Sequence, residues 1–177
     1  MRVRRVVTGH DSSGKAVFAS DEEVEPVTTA LMPGTEFHRL WGGDEAPSYP
    51  DDGGRPDHTT YFPAVGGYRF GFFSLPPSGT QPMGDIDIGA ELTSLNERLP
   101  GMLDHMELDA PGMHTTDTVD FEVVLSGEVT LELDDGAERT MGPGDTVVQN
   151  GTRHRWHNRG TEPAVIAVFM VGAHRAG

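Results

Sequence analysis

The chain has 177 residues, 36% of them hydrophobic, which suits one packed domain and excludes a disordered or collagen-like chain. Its formal net charge of −15 argues against nucleic acid and anionic membrane surfaces as partners, because both are bound through clustered Lys and Arg. The chain has no cysteine, which excludes disulfides, thiolate metal sites and a cysteine nucleophile.

The N-terminal sequence MRVRRVVTGHD is basic but lacks the apolar stretch that follows the basic residues of a signal peptide. No window approaches the 18 apolar residues that a membrane span requires. We therefore predict a cytoplasmic protein that does not contact a membrane.

The first half of the chain is predicted to form short strands, because runs rich in β-branched and aromatic residues alternate with Gly, Pro, Asp and Ser. The predicted strands span residues 2–8, 15–20, 26–31, 36–42 and 67–77. Residues 43–66 are predicted to form a loop rich in Pro, Gly and Asp. A loop of this length inside a compact domain is usually functional or mobile.

One helix is predicted over residues 88–98. Ile88, Leu92 and Leu95 are spaced by four residues and then three, and the sequence LPG ends the pattern. We expect this short helix to cover the outside of a sheet.

From residue 112 onward the sequence is typical of β-structure. The predicted strands span residues 118–127, 128–134, 137–141, 146–149, 153–158 and 163–173. Strands that arrive every 8–12 residues with Gly-centred turns predict an antiparallel sandwich or barrel.

Strand periodicity divides residues 114–125 into two faces, because successive side chains of a strand point to opposite sides. One face carries polar side chains and ends on a valine: His114, Thr116, Thr118, Asp120, Glu122 and Val124. The other face is apolar: Val119, Phe121, Val123 and Leu125. We expect the apolar face to pack in a core, so that the polar face meets solvent or a polar cavity. On a later strand, His154 shares a face with Trp156 and Asn158.

A barrel that brought these polar faces together would form a metal site. His114, His154 and a carboxylate from Asp120 or Glu122 would offer two imidazoles and an oxygen ligand. Such a set binds Mn²⁺, Fe²⁺, Ni²⁺ or Zn²⁺ and leaves positions open for water or substrate.

The first of these segments resembles the first motif of the cupin superfamily, Gly-x5-His-x-His-x3/4-Glu-x6-Gly. His114 matches the first His, Thr116 stands at the second His, and Asp120 replaces Glu. Gly127 matches the closing Gly, whereas the opening Gly is absent.

The second segment resembles the second cupin motif, Gly-x5-Pro-x-Gly-x2-His-x3-Asn. Gly151, His154 and Asn158 match its spacing, Gln149 stands at the proline, and Gly144 lies one residue nearer than the motif places its first Gly. The similarity in motifs covers residues 112–172. More loosely, RRVVTGHDSSGKAVF and LPGMLDHMELDAPGMHTTDTVDF look like a subgroup of single-domain cupins of the cupin-2 type, from actinobacteria and fungal biosynthetic clusters.

The resemblance implies an all-β fold: a double-stranded β-helix (jelly-roll) cupin barrel with an N-terminal strand extension and one short helix. Residues 1–177 would form a single domain, with the N-terminal strands, loop and helix in residues 1–111. It also implies a homodimer formed through N-terminal strands, and for some fungal members an oxidoreductase activity in polyketide pathways.

Two functions remain open at this point. The first is a small-molecule enzyme of secondary metabolism that acts on a small organic acid or polyketide-like metabolite, by oxidoreduction or dioxygenation, or by decarboxylation, isomerisation or cyclisation. His114, Asp120 and His154 would hold a divalent ion (Fe, Mn, Ni or Zn), and Glu122 or His105 would serve as the acid or base. The second is a non-catalytic cupin that binds a small molecule in a metal-free pocket, which the Thr at position 116 favours.

Aromatic side chains such as Trp156, Phe70 and Phe72 could give either kind of pocket an apolar lining, beside the polar residues of the inner strand faces. The candidate lining residues are Thr116, Thr118, Trp156, Asn158, Phe70 and Phe72.

Overall fold

The computed structural model describes residues 1–81 and 84–176, which form ten strands, one α-helix and two single-turn 3₁₀ helices. The strands are β1 (Arg4–His10), β2 (Ala16–Glu23), β3 (Glu36–Gly43), β4 (Tyr68–Leu75), β5 (Thr118–Ser126), β6 (Val129–Glu132), β7 (Glu138–Met141), β8 (Thr146–Asn150), β9 (Arg155–His157) and β10 (Ala164–Gly172). The helix α1 is Ile88–Arg98, and the 3₁₀ helices are Leu103–His105 and Asp134–Gly136.

The strands form a barrel from two antiparallel sheets. A five-stranded sheet has the order β3-β4-β10-β5-β8, and a three-stranded sheet has the order β7-β6-β9. The hairpin of β1 and β2 forms a separate ribbon. The all-β jelly-roll fold predicted from the sequence is confirmed, with one α-helix.

The turn from β5 to β6 requires a glycine. Gly127 has φ +74°, and a Cβ there would lie 2.7 Å from the Cα of Ala164 at the start of β10. Left-handed backbone and close packing both exclude other residues, which gives the closing Gly of the first motif a structural role.

The predicted strand over residues 26–31 is wrong. Only an isolated bridge between Val27 and Phe37 forms there, and the segment then turns, with Met32 N donating to Thr29 O and Thr35 N to Met32 O. A side-chain hydrogen bond explains the turn: the carboxylate of Glu91 on α1 accepts from the Thr29 hydroxyl at 3.0 Å and from Ala30 N at 3.1 Å.

Helix α1 has the predicted bounds, and Asp87 caps it by accepting a hydrogen bond from Ala90 N. Its predicted position is wrong. Ile88 and Leu92 are exposed, whereas Leu95 is buried with Leu99, Met102 and Phe37 in a cluster that also includes Phe73. The helix therefore packs through its C-terminal half on side chains inside the barrel instead of covering the outside of a sheet. The helices of the described chain are too short and too polar to cross a membrane.

One buried arginine holds the long segment between β3 and β4 in place. Arg69 on β4 is 3% exposed, and its guanidinium donates to Gly43 O at 2.7 Å, to Thr60 O at 3.0 Å and to the carboxylate of Asp44 at 2.6 Å. Both ends of the segment are thus tied to one side chain, and Tyr61 follows directly after this anchor.

We expect Arg69→Met to destabilise the protein by about 3 kcal/mol, because several carbonyl acceptors and a carboxylate lose a charged donor. Urea unfolding measures the loss, and limited proteolysis is expected to show new cleavage within residues 44–67. The exposed Arg139, for which the described chain contains no ion pair, provides the control Arg139→Met. An Arg69→Met protein as stable and as resistant to protease as the control would contradict this role.

Candidate functional site

Two carboxyl groups lie on the inner face of β5. Asp120 is 5% exposed and Glu122 is 7% exposed, and the register places them beside Met170 and Val168 of β10. Among the side chains that the structure describes, Asp120 Oδ1 and Glu122 Oε2 are buried with no hydrogen-bond partner. Each carboxyl therefore has an oxygen available to a ligand, an ion or water.

Burial raises the pKa of Glu122 to about 8, and the nearby charge of Asp120 adds to this shift. Burial also raises the pKa of Asp120 to about 6, although the neighbouring Thr118 hydroxyl opposes the change. Near pH 7 Glu122 thus carries a proton that it can donate, which is the state a general acid requires.

The polar face of β5 points inward and its apolar face points outward. Phe121 is 50% exposed and Leu125 is 44% exposed. The expectation that the apolar face packs in a core is therefore wrong, although the division into two faces is correct. The outward row continues across neighbouring strands, where Phe169 of β10 pairs with Phe121, and Phe121 pairs with Val148 of β8.

Two imidazoles lie side by side where the chain enters β5. His114 and His154 form an antiparallel bridge through their backbones, and their ring centroids are 4.1 Å apart. His114 Nδ1 lies 3.0 Å from Gly112 O, and His154 Nδ1 lies 2.9 Å from Thr152 O. Because a carbonyl oxygen can only accept, each Nδ1 carries the hydrogen and each Nε2 keeps a free lone pair.

Burial lowers the pKa of both imidazoles, and that of His154 falls to about 4 because the charge of His114 adds to the effect of burial. The two rings are therefore neutral at physiological pH. A neutral ring whose Nδ1–H is held by a carbonyl is the form in which histidine binds a metal ion.

His105 approaches these imidazoles from the 3₁₀ helix. Its Nδ1 lies 2.9 Å from Thr115 O, so its Nε2 is also free. The ring of Phe62 packs on both histidines, at 4.9 Å from the centroid of His105 and 6.4 Å from that of His114. The structure thus brings His105, His114 and His154 to the same end of the barrel.

Thr116, at the position of the second motif histidine, is 2% exposed, and its hydroxyl lies 2.8 Å from the hydroxyl of Thr118. The pair borders a cavity of about 370 Å³ between residues 115–119 and the C-terminal segment 173–176. The hydrogen bond between the two hydroxyls gives each of them a partner within the protein.

The other candidate lining residues have different environments. Trp156 lies inside the barrel, where its ring packs edge-on against Phe73 and His154. Asn158 is 1% exposed and holds a turn, because its amide donates to Leu75 O and Glu162 O and its side-chain oxygen accepts from Gly160 N.

Phe70 and Phe72, which were predicted to line the pocket, border a cavity of about 20 Å³ beside Arg39 and Tyr61, although their side chains point away from the barrel interior. Phe73 of β4 points inward, so strand alternation turns Phe70 and Phe72 to the outer face, where their rings contact each other and Phe70 is 39% exposed.

Two aromatic residues of the long loop belong to the site but were not predicted. Tyr61 packs edge-on against Phe37 and Phe62, and burial raises the pKa of its phenol although the positive charge of Arg39 opposes the shift. The paired aromatics in an otherwise Pro- and Gly-rich loop were the available signal in the sequence.

One group of three possible ligands is compact. Among the described residues, only the Glu132, Glu138 and His157 side chains bring their ligand atoms within 4.8 Å of one another. This group lies on the outer face of the three-stranded sheet, and Arg155 neutralises Glu132 while Arg159 neutralises Glu138. The hydrogen bonds from Arg155 and His157 hold the pKa of Glu132 down at about 2.

His114, Asp120 and His154 do not meet the same spacing among the described residues. Their chemistry fits a divalent ion better, because they offer two neutral imidazoles with free Nε2 atoms and a carboxylate oxygen that has no partner.

The comparisons with known proteins agree with this architecture. A family model described as a cupin domain matches residues 105–171. The phomopsin biosynthesis cluster protein C' of Diaporthe leptostromiformis is 30% identical over 155 residues, which are 88% of this chain and 70% of that protein. The chain belongs to the cupin superfamily. The matched range of this cupin begins at His105, seven residues before the segment in which the motifs were recognised.

One further relative and one solved structure are similar to this cupin. The cupin-domain-containing oxidoreductase fogC of Aspergillus ruber is 30% identical over 160 residues, covering 89% of this chain and 64% of the relative. The cupin domain of Schizosaccharomyces pombe Cnp3 aligns with a TM-score of 0.49 at 8% identity, covering 97% of this chain and 89% of that one.

The raised pKa of Glu122 predicts how stability depends on pH. Because the pKa rises from 4.5 to about 8 on folding, the native state keeps a proton that the unfolded chain releases between these values. The contribution is fully present below pH 4.5 and is lost as pH rises through about 8.

In chelator-treated protein, we expect Glu122→Gln to be more stable than the wild type at pH 9 by about 3–5 kcal/mol and nearly equal at pH 4.5. Urea unfolding across this range measures the difference. The exposed Glu128 in the turn after β5 provides the control Glu128→Gln. Parallel profiles for wild type and Glu122→Gln would show that Glu122 is ionised in the native state.

Proposed function

We propose that this cupin is an enzyme of secondary metabolism that converts a small organic molecule inside its barrel. The observation that carries the proposal is the pairing of two neutral imidazoles with a buried, protonated carboxyl group. A protein that needed these groups only for packing would leave neither carboxyl oxygens without partners nor imidazole lone pairs free. The names of relatives such as fogC support oxidoreduction as the reaction class.

His114 and His154 would hold a divalent ion through their Nε2 atoms, with Asp120 as the carboxylate. When bound, such an ion polarises a carbonyl or enolate oxygen of the substrate, or supplies redox chemistry if it is iron.

The side chains of the protein position the substrate and move its protons. Glu122, protonated at neutral pH, donates its proton to a substrate oxygen as negative charge develops there, and takes a proton back when the product leaves. His105, with its Nδ1–H held by Thr115 O, offers Nε2 as a base at the other side of the imidazole pair. Tyr61 and Phe62 cover this end of the barrel and keep water from the reacting groups.

We expect protein purified without a His tag to contain close to one equivalent of Fe, Mn, Ni or Zn by elemental analysis. His114→Ala/His154→Ala is expected to reduce this below a tenth of an equivalent, because both imidazole ligands are removed. His10→Ala is the matched control, since it removes an imidazole of β1 that belongs to neither group of possible ligands.

Less than a tenth of an equivalent in the wild-type protein, with no gain after incubation with each metal, would contradict the metal-dependent enzyme. It would favour the alternative, a cupin that binds a metabolite without metal, which the hydrogen bond between Thr116 and Thr118 supports.

A further inference from the structure

An arginine lies inside the barrel in the same layer as the buried carboxyl group of β5. Arg39 of β3 pairs with Gly71 of β4, and the row continues through Val168 of β10 to Glu122. Arg39 follows the inward-facing Phe37 by two residues, so it shares the inner face. Because Gly71 has no side chain, β4 places no side chain beside Arg39 in this row.

The guanidinium of Arg39 has no counter-charge. Within residues 1–81 and 84–176, no carboxylate lies within 4.0 Å of it. Its Nη1 donates to Arg98 O at 2.8 Å, and its Nη2 donates to His58 Nε2 at 2.6 Å, so both acceptors are neutral. A partly buried guanidinium stays protonated, so its charge must be balanced by something other than these groups.

The surroundings of Arg39 add positive charge. Burial lowers the pKa of Arg39, and the nearby Arg55 and Arg69 lower it further. Asp44 is the only one of the described carboxylates that pairs with these three arginines, and it is held by Arg69. Most other arginines of the described chain pair with Asp or Glu.

This local excess of positive charge stands out in a protein of net charge −15. An acidic surface repels anions, so an anionic ligand needs a cationic region to hold it. A small cavity of about 20 Å³ touches Arg39, His58 and Tyr61, which is space for one water-sized polar group.

We propose that Arg39 binds a carboxylate of the substrate, and that the substrate is therefore an organic acid. The guanidinium offers charged N–H donors to a carboxylate, and the cavity beside it has room for one carboxylate oxygen. Tyr61 contacts Phe62, and Phe62 packs on His105 and His114, so these aromatic rings lie between the carboxylate subsite and the imidazoles. This inference rests on the proposed function, since it places the acid group of the same substrate.

Benzoate and its neutral analogue benzamide test the proposal, measured by ligand-observed NMR at constant ionic strength. Wild-type protein is expected to bind benzoate at least ten times more tightly than benzamide. Arg39→Gln is expected to lower the benzoate affinity at least tenfold, and Arg39→Lys to lower it less because the charge is kept. Arg139→Gln, at an exposed arginine, is the matched control and is expected to bind benzoate as the wild type does.

A measurement on the unaltered protein keeps the test valid if the Arg39 variants do not fold. Benzoate is expected to slow the modification of Arg39 by phenylglyoxal, followed by peptide mass mapping, whereas benzamide does not, and Arg139 is expected to react equally in all cases. Equal binding of benzoate and benzamide, undiminished affinity in Arg39→Gln, or no protection of Arg39 would each overturn the proposal.

Metal analysis of the same samples separates this inference from the proposed function. Arg39→Gln is expected to keep the wild-type metal content. Metal present at one equivalent without Arg39-dependent binding of benzoate would overturn the carboxylate subsite alone. Arg39-dependent binding in wild-type protein that takes up no metal would overturn the metal-dependent enzyme and leave the subsite standing.

Discussion

Burial of two carboxyl groups on one strand is the constraint on which the interior depends. Asp120 and Glu122 lose their hydration without gaining hydrogen bonds to all their oxygens. An ionised carboxylate in such a place is expensive, so the pKa of both groups is raised, and Glu122 keeps its proton near pH 7. Their neighbours in register are Val168 and Met170 of β10 and, on β8, Val147 beside Glu122 and the buried Gln149 beside Asp120. Near pH 7 the site therefore combines a protonated Glu122, which can donate a proton, with an Asp120 whose pKa of about 6 leaves it able to ionise and bind a cation.

Loop and helix contacts keep water away from this interior. Arg69 ties both ends of the segment between β3 and β4, and Tyr61 N donates to Pro100 O just after α1. These anchors place Tyr61 and Phe62 over the histidines. Since α1 packs through Leu95 and Leu99 on Phe37, the helix fixes the same end of the barrel from the other side. The low polarity that raises the pKa of Glu122 thus comes from elements far away in the sequence.

The fold could be predicted from local patterns, because strand alternation, Gly turns and the spacing of the histidines are encoded in neighbouring residues. Local patterns could not predict which face of each strand turns toward the interior of the barrel. On β5 both faces are plausible as core, and the outcome depends on what the other strands of the barrel bury. The strand prediction for residues 26–31 was wrong for a similar reason. Glu91, some sixty residues away in the sequence, accepts the hydrogen bonds that turn the chain there.

The sequence predicted the histidines of the candidate site but not its arginine and tyrosine. The motif spacing found His114 and His154, which the backbone bridge brings together. Arg39 and Tyr61 carry no motif, and their importance appears only when the charges inside the barrel are compared. Arg39 could not be assigned from β3 alone, because an arginine in a strand is normally taken to reach solvent.

The protonation of Glu122 and the isolation of Arg39 are two aspects of one arrangement. Both side chains lie in the same cross-strand row, yet a neutral Glu122 offers no charge to balance the guanidinium. Gly71 of β4 and Val168 of β10 separate the two groups in this row, and within residues 1–81 and 84–176 no carboxylate lies within 4.0 Å of the guanidinium. The row therefore carries a proton donor on β5 and a cation on β3, which suits a substrate whose reacting atoms lie away from its carboxylate.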